Sequence, residues 1–287
     1  MSSAKAVVLL AAAALVPGCG SDPTVTPSVD SAPPAIDSAP LPDAPPPPPD
    51  ATVLETCAGQ TLPATADDPV VLAGTANTLS FSGLTPVGGI AITAFDSADT
   101  MLAMTTSSSA GGSVGDFSLS VATGAAPLDG YVRATGNGFV DVYVYPPVPV
   151  TAGQDNLTAL MVSPSNFNLV NSTLLRETQS ASNGWIGVAV LDDSGDAVAG
   201  AQVGTVPGAG AVHYNVVGTN GPFPDPDATE TDTDGVAYLV NVPAGEVTVF
   251  ATAPGLSLRP VVVNARPGVI TMTAVVPCSY GTVAGAR

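Results

Sequence analysis

Basic side chains are nearly missing from this chain: one lysine and five arginines stand against 24 acidic residues, for a formal net charge of -18. Nothing is left to neutralise a run of phosphates, so sequence-independent nucleic-acid binding is excluded, and electrostatic adsorption to anionic headgroups fails for the same reason. Histidine and tryptophan occur once each, at His213 and Trp185, and aromatics make up only 5 %. Any triad would have to use His213 as its base, zinc would lack its softer ligands, and an extended sugar-stacking platform has few residues to draw on. Charged residues are just 10 %, while glycine (30), proline (29), threonine and valine abound, a balance that disfavours helices and favours strands with many turns.

The N-terminus has its own pattern. Lys5 precedes an apolar run over 6–16, which is too short to cross a bilayer as a helix, and Pro17-Gly18-Cys19 follows. Leu15-Val16-Pro17-Gly18-Cys19 resembles the bacterial lipobox, with Pro17 where Ala or Ser is usual. That resemblance implies a signal peptide over 1–18 and an acylated Cys19, so that acyl chains hold the protein to a membrane. Gly20 and Ser21 lack the aspartate of the inner-membrane retention rule, which implies delivery to the outer membrane of the cell envelope. Residues 20–56 then read as a decaying Asp-Ser-Ala-Pro repeat with five prolines at 45–49. Proline removes donors and fixes φ, and little apolar surface is available to offset ordering, so 19–56 is expected to be an anchor and a disordered linker. At polyproline spacing its reach is about 110 Å.

From residue 57 onward, short alternating runs are separated by Gly, Pro, Asp and Ser, the signature of many short strands. The pattern occurs twice. Ile90-Ala-Ile-Thr-Ala-Phe-Asp96 corresponds to Ile186-Gly-Val-Ala-Val-Leu-Asp192, and Phe117-Ser-Leu-Ser-Val121 to Tyr238-Leu-Val-Asn-Val242. Val132-Arg-Ala-Thr corresponds in turn to Val249-Phe-Ala-Thr. The fold expected is all-β: two tandem Ig-like or transthyretin-like β-sandwiches, over 57–163 and 184–278, with about seven strands each. A connecting segment, 164–183, fits either a short helix capped by Ser163-Pro164 or an irregular path, and 279–287 is a tail.

In the second unit, Gly187-Val-Ala-Val-Leu-Asp-Asp-Ser-Gly-Asp-Ala-Val-Ala-Gly-Ala-Gln-Val203, Thr231-Asp-Thr-Asp-Gly235, Asn241-Val-Pro-Ala-Gly245 and Ala253-Pro-Gly255 together resemble the carboxypeptidase regulatory-like domain of transthyretin-like topology. The first unit shows a weaker version. The resemblance implies a noncatalytic sandwich, accessory to secreted enzymes and surface proteins, with a scaffold, adhesion or binding role.

Gly111-Gly-Ser-Val-Gly115 satisfies G-x-S-x-G, but a serine-rich turn leads into a strand where the nucleophile elbow needs a strand before it and a helix after it. Asp225, Asp227, Glu230, Asp232 and Asp234 crowd ahead of Gly235 and suggest a calcium loop with an irregular oxygen set; solvated turn residues are the alternative. Relative to the first unit, the second has gained roughly 24 residues between Val203 and Thr231. That insertion is expected to be a loop holding the ligand candidates His213, Tyr214 and Phe223. Trp185 is expected in the core, the alternative being an exposed sugar-stacking role.

These readings give a noncatalytic, lipid-anchored envelope protein with no cofactor other than potential calcium, a protein or glycan partner, and no nucleic acid. A carbohydrate-binding module and a hydrolase with paired carboxylates are the competing classes. With Cys19 acylated, Cys57 and Cys278 remain, and export makes them a disulfide pair in preference to two thiols or an intermolecular link. Bridged Cα atoms must lie within about 7 Å, so the two units would have to lie side by side.

Overall fold

The computed structural model describes residues 57–80, 83–219 and 221–282; Cys19, the signal segment and the proline-rich stretch lie outside them. The described chain is nearly all β, with one short α-helix. Its first half contributes β1 (Val70–Ser80), β2 (Gly83–Pro86), β3 (Ala91–Asp96), β4 (Met101–Thr106), β5 (Asp116–Val121), β6 (Gly130–Thr135), β7 (Val142–Tyr145) and β8 (Gln154–Met161). After α1 (Pro164–Leu169) come β9 (Gly184–Val190), β10 (Gln202–Val206), β11 (Ala211–Gly218), β12 (Gly221–Asp225) and β13 (Val236–Val242). The chain closes with β14 (Gly245–Thr252), β15 (Leu258–Arg259), β16 (Val261–Ala265) and β17 (Ile270–Pro277).

One sheet runs through both halves. Its order is β12-β11-β13-β9-β17-β7-β6-β3-β4, with β15 paired to β17, and β17 lies parallel to both β7 and β9. Every residue of β17 is buried, as expected of a strand covered on both faces, which carries a continuous apolar run. Two smaller sheets complete the sandwiches: β2-β1-β5 with β8 on the far side of β1, and β10-β14-β16. Gly74 permits the parallel β1–β8 contact, since a Cβ there would overlap the backbone of Leu157.

The period of two sends alternate residues of the long sheet into different cores. On β13, Val236, Tyr238 and Val240 join a core with Leu72, Leu119, Ile92 and Val142, whereas Ala237 and Leu239 join Val247, Val249 and Val263. The small sheets therefore pack against opposite faces of the long one, each at a different end. The connecting segment covers the second half of the first face. Ser163 Oγ accepts the Asn166 amide at 3.2 Å and Pro164 occupies the first turn, which starts α1. Phe167 on α1 then meets Trp185 edge-on, with ring centroids 5.7 Å apart.

Cys57 and Cys278 form a disulfide with Cα atoms 5.1 Å apart, so the start of the first half meets the end of the second and the halves lie side by side. The expected loop between Val203 and Thr231 is corrected: β10, β11 and β12 occupy most of it, and His213, Tyr214 and Phe223 stand on strands. Ala211-Val-His-Tyr-Asn-Val-Val alternates well enough to pair with β13, and Gly218 pairs with Gly221 at the turn into β12. The inserted residues thus lengthen the sheet instead of protruding from it.

Candidate functional site

Because the small sheets cover opposite faces, no sheet among the described residues lies over the outer face of β3, β4, β6 and β7. Register places Met104, Thr93, Arg133, Tyr143 and Thr271 in one row across that face, continuing to Ile186 in the second core. Beside this row lies an aromatic group. Phe95 stacks on Tyr131 at 5.1 Å, and Tyr131 contacts the rings of Tyr145 and Tyr143 at 5.0 and 5.6 Å. Strand geometry accounts for the grouping, since Tyr143 and Tyr145 are two residues apart on β7, and Gly130 lets β6 approach the Phe95 carbonyl where any Cβ would collide.

Arg266, in the turn from β16 to β17, closes over this group from the other half of the chain. Its guanidinium carbon lies 4.5 Å from the Tyr143 ring centroid and 4.9 Å from that of Tyr131. One terminal nitrogen donates to the Tyr145 hydroxyl, and the other to Asp99 Oδ1 at 2.9 Å. The Tyr131 hydroxyl donates to the same Asp99 oxygen at 2.6 Å. Burial and then the hydrogen bond to Asp99 raise the Tyr131 pKa above that of an ordinary phenol. Tyr145 is raised by burial while its bond from Arg266 pulls it back. Burial opposes the charge of Arg266, but Tyr145 and the neighbouring charges hold its pKa above the usual value. Farther out on the same face, Arg133 lies over the Phe95 ring at 5.4 Å. The arrangement is a fixed cation held among phenol rings, suited to locking surfaces together and to contact.

The Arg266 clasp joins elements 121 to 167 residues apart. Arg266→Ala is expected to lower stability by about 2 kcal/mol, through two cation–π contacts and charge-assisted bonds of a mostly covered guanidinium. Arg266→Lys should recover less than half, because an ammonium lacks the planar fork that reaches Tyr145 and Asp99 together. Urea unfolding followed by circular dichroism checks both; a loss below about 0.5 kcal/mol, the size of an exposed ion pair, would count against the clasp.

His213 is buried on β11, with Nε2 3.1 Å from Glu177 Oε1. Tyr214 points into the second core, its hydroxyl accepting the Val203 amide at 3.0 Å; burial raises its pKa, partly offset by that bond. Phe223 is half-buried on β12, paired with Val216. Asp225 Oδ1 accepts the Asp227 amide at 2.8 Å, Asp232 accepts those of Val217 and Thr233, and Asp234 accepts from Asn215 and Val236. The bonds from Val217 and Thr233 hold the Asp232 carboxyl below its ordinary pKa. Glu230 completes the set near Tyr214, whose pKa its charge also helps to raise. Among the described residues, no three His, Cys, Asp or Glu side chains lie close enough to hold a metal ion.

Trp185 is buried between Phe167 and Tyr238, and Ser113 Oγ lies 3.1 Å from Ser108 Oγ within a turn. The Arg266 clasp leaves no mark in the sequence. Tyr143 and Tyr145 at alternate positions were a visible hint of an aromatic face, but nothing local ties Arg266 to them.

No family model matches the chain, and no curated protein matches it in sequence. Among solved structures it is similar to the shaft pilin SpaA from Lactobacillus rhamnosus GG, at 10 % identity and TM-score 0.23 over 73 % of this chain and 98 % of that one. It is also similar to GBS52, the minor pilin of Streptococcus agalactiae, at 10 % identity and TM-score 0.22 over 76 % of this chain and 98 % of that one. A third likeness is to the Bacillus anthracis TIE protein, at 11 % identity and TM-score 0.22 over 72 % of this chain, which spans only 33 % of that protein's length.

Proposed function

We propose that this chain is a noncatalytic cell-envelope protein whose β-sandwich body stands off an outer membrane on a lipid-anchored, proline-rich tether and presents its faces to a protein or glycan partner. The supporting observation is where the disulfide sits. Cys57 directly follows the proline-rich segment, and Cys278 directly follows β17, the strand bonded to β7 on one side and β9 on the other. A pull along the tether therefore enters the middle of the long sheet, where it must shear hydrogen bonds on both sides, instead of peeling β1 from the first small sheet. Such a body keeps its shape while it is held at one point.

The acidic residues fit this role better than a hydrolytic one. The carboxylates of Asp192, Asp225 and Asp232 accept amides of their own turns, which fixes loops. Burial of Trp185 likewise removes it as a sugar-stacking surface. As in the resembled carboxypeptidase regulatory-like domains, the second half acts as a scaffold.

Anchoring is tested by phase partition. Acyl chains contribute about 0.8 kcal/mol per buried methylene, so the mature protein is expected in the detergent phase and Cys19→Ser in the aqueous phase. Recovery of the wild-type chain from the aqueous phase, with Cys19 unmodified by mass spectrometry, would overturn the anchored reading.

A further inference from the structure

Among the described residues, strand β4 ends the long sheet and bonds only to β3. Native sheets usually protect such an edge with proline, charge or a covering segment. The opposite end follows the rule, for β12 carries Pro222 and Pro224. β4 has neither proline nor charge, and it exposes Met101 (60 %), Leu102 and Met104 (63 %). Its outer edge carries no ladder either: β5 of the facing sheet packs beside it without pairing to it. The Ser107 amide donates to the Ile90 carbonyl at 2.8 Å, and the alternation of an antiparallel ladder then turns the amides of Ala103 and Thr105 toward β3 and those of Met104 and Thr106 outward. Among the described residues, neither outward amide has a hydrogen-bond partner.

We propose that β4 is a docking edge that adds one extended segment of a basic partner protein to the long sheet. Main-chain bonds to Met104 and Thr106 would supply the pairing, and apolar side chains at alternate positions of the segment would cover Leu102 and Met104. Charge identifies the partner. Asp96 and Asp129 lie together at the Met101 end of the strand, and Asp116 lies beside Ser108 at the other end. Asp99 is already engaged by Arg266, while Asp96 Oδ1 accepts the Ala98 and Thr100 amides and Asp116 Oδ1 the Thr75 hydroxyl, which leaves the second oxygen of each for an incoming cation. Lysine or arginine flanking the docked segment would meet these carboxylates, and a net charge of -18 steers a cationic chain inward. A second copy, by contrast, brings the same charge against itself. The docking edge does not depend on how the chain is anchored.

The probe is a synthetic peptide of alternating valine and threonine with two lysines at each end, titrated against the full chain, with a glutamate-flanked version as the control. Binding of the lysine peptide is expected to slow amide exchange at Met104 and Thr106, to exceed that of the glutamate peptide at least tenfold, and to weaken as salt rises. Met104→Pro removes an outward donor while leaving the bonds to β3 in place, and should reduce binding at least tenfold. If that variant does not fold, Met104→Lys keeps the backbone and should reduce binding by repelling the lysine peptide. Equal binding of both peptides, protection away from β4, or no binding overturns the proposal. A concentration-dependent dimer in sedimentation that Met104→Pro abolishes would also overturn it, by making a second copy the occupant.

Discussion

Replacing Cys57 and Cys278 together by serine is expected to destabilise the protein by about 2–5 kcal/mol. The bridge spans a sequence separation of 221, and the chain-entropy model gives about 5 kcal/mol for closing so long a loop, a value that residual structure in the unfolded chain reduces. For a body of this size, a loss of 3 kcal/mol corresponds to a fall in melting temperature of roughly 6–12 °C. The native contacts at the C-terminal end should survive the change, because the Cys278 amide donates to the Ser257 carbonyl and Arg259 donates to the Cys278 carbonyl through backbone atoms that serine keeps. Differential scanning calorimetry of the double variant, beside wild type with and without reductant, provides the measurement. Reduced wild type should match the variant, and a melting temperature unchanged by either treatment would refute a stabilising bridge.

Trp185→Ala is expected to cost more, about 3–5 kcal/mol, the range for truncating a large buried aromatic side chain. Trp185 is 3 % exposed and lies between Phe167 of α1 and Tyr238 of β13, so its ring holds the connecting segment against the long sheet. Its indole Nε1 is buried without a hydrogen-bond partner among the described residues. Trp185→Phe therefore loses no hydrogen bond, removes an unpaired donor and leaves a smaller void, and it should cost less than half as much. Since Trp185 is the only tryptophan, unfolding of both variants is best followed by circular dichroism. A cost below 1 kcal/mol for Trp185→Ala would mean that the site collapses or is open to solvent.

Part of this architecture is legible in local sequence. Phe117, Leu119 and Val121 are buried while Asp116, Ser118 and Ser120 are exposed, as strict alternation on β5 dictates. Ser163-Pro164 marks the start of α1 through a side-chain cap and a missing donor. The Cys57–Cys278 bridge is the pairing expected from the lipobox resemblance, which sets Cys19 aside. Other elements are harder to read. β1 runs from Val70 to Ser80, but Gly74, Thr75 and Asn77 interrupt its apolar pattern because it carries a bulge and pairs in parallel with β8. The 211–225 stretch reads as a loop because its prolines and glycines are turn residues elsewhere; here they close the edge of a sheet.

By itself the sequence determined that the chain is built of strands and which face of each is apolar, because these depend on a residue and its near neighbours. Only the tertiary structure decided that β17 would join β7 to β9, that the small sheets would cover opposite faces, and that Arg266 would reach Tyr145 and Asp99. Strand periodicity says which way a side chain points but not which strand lies beside it. That choice rests on loop closure and on the joint packing of two cores, and neither is encoded in any one stretch of the chain.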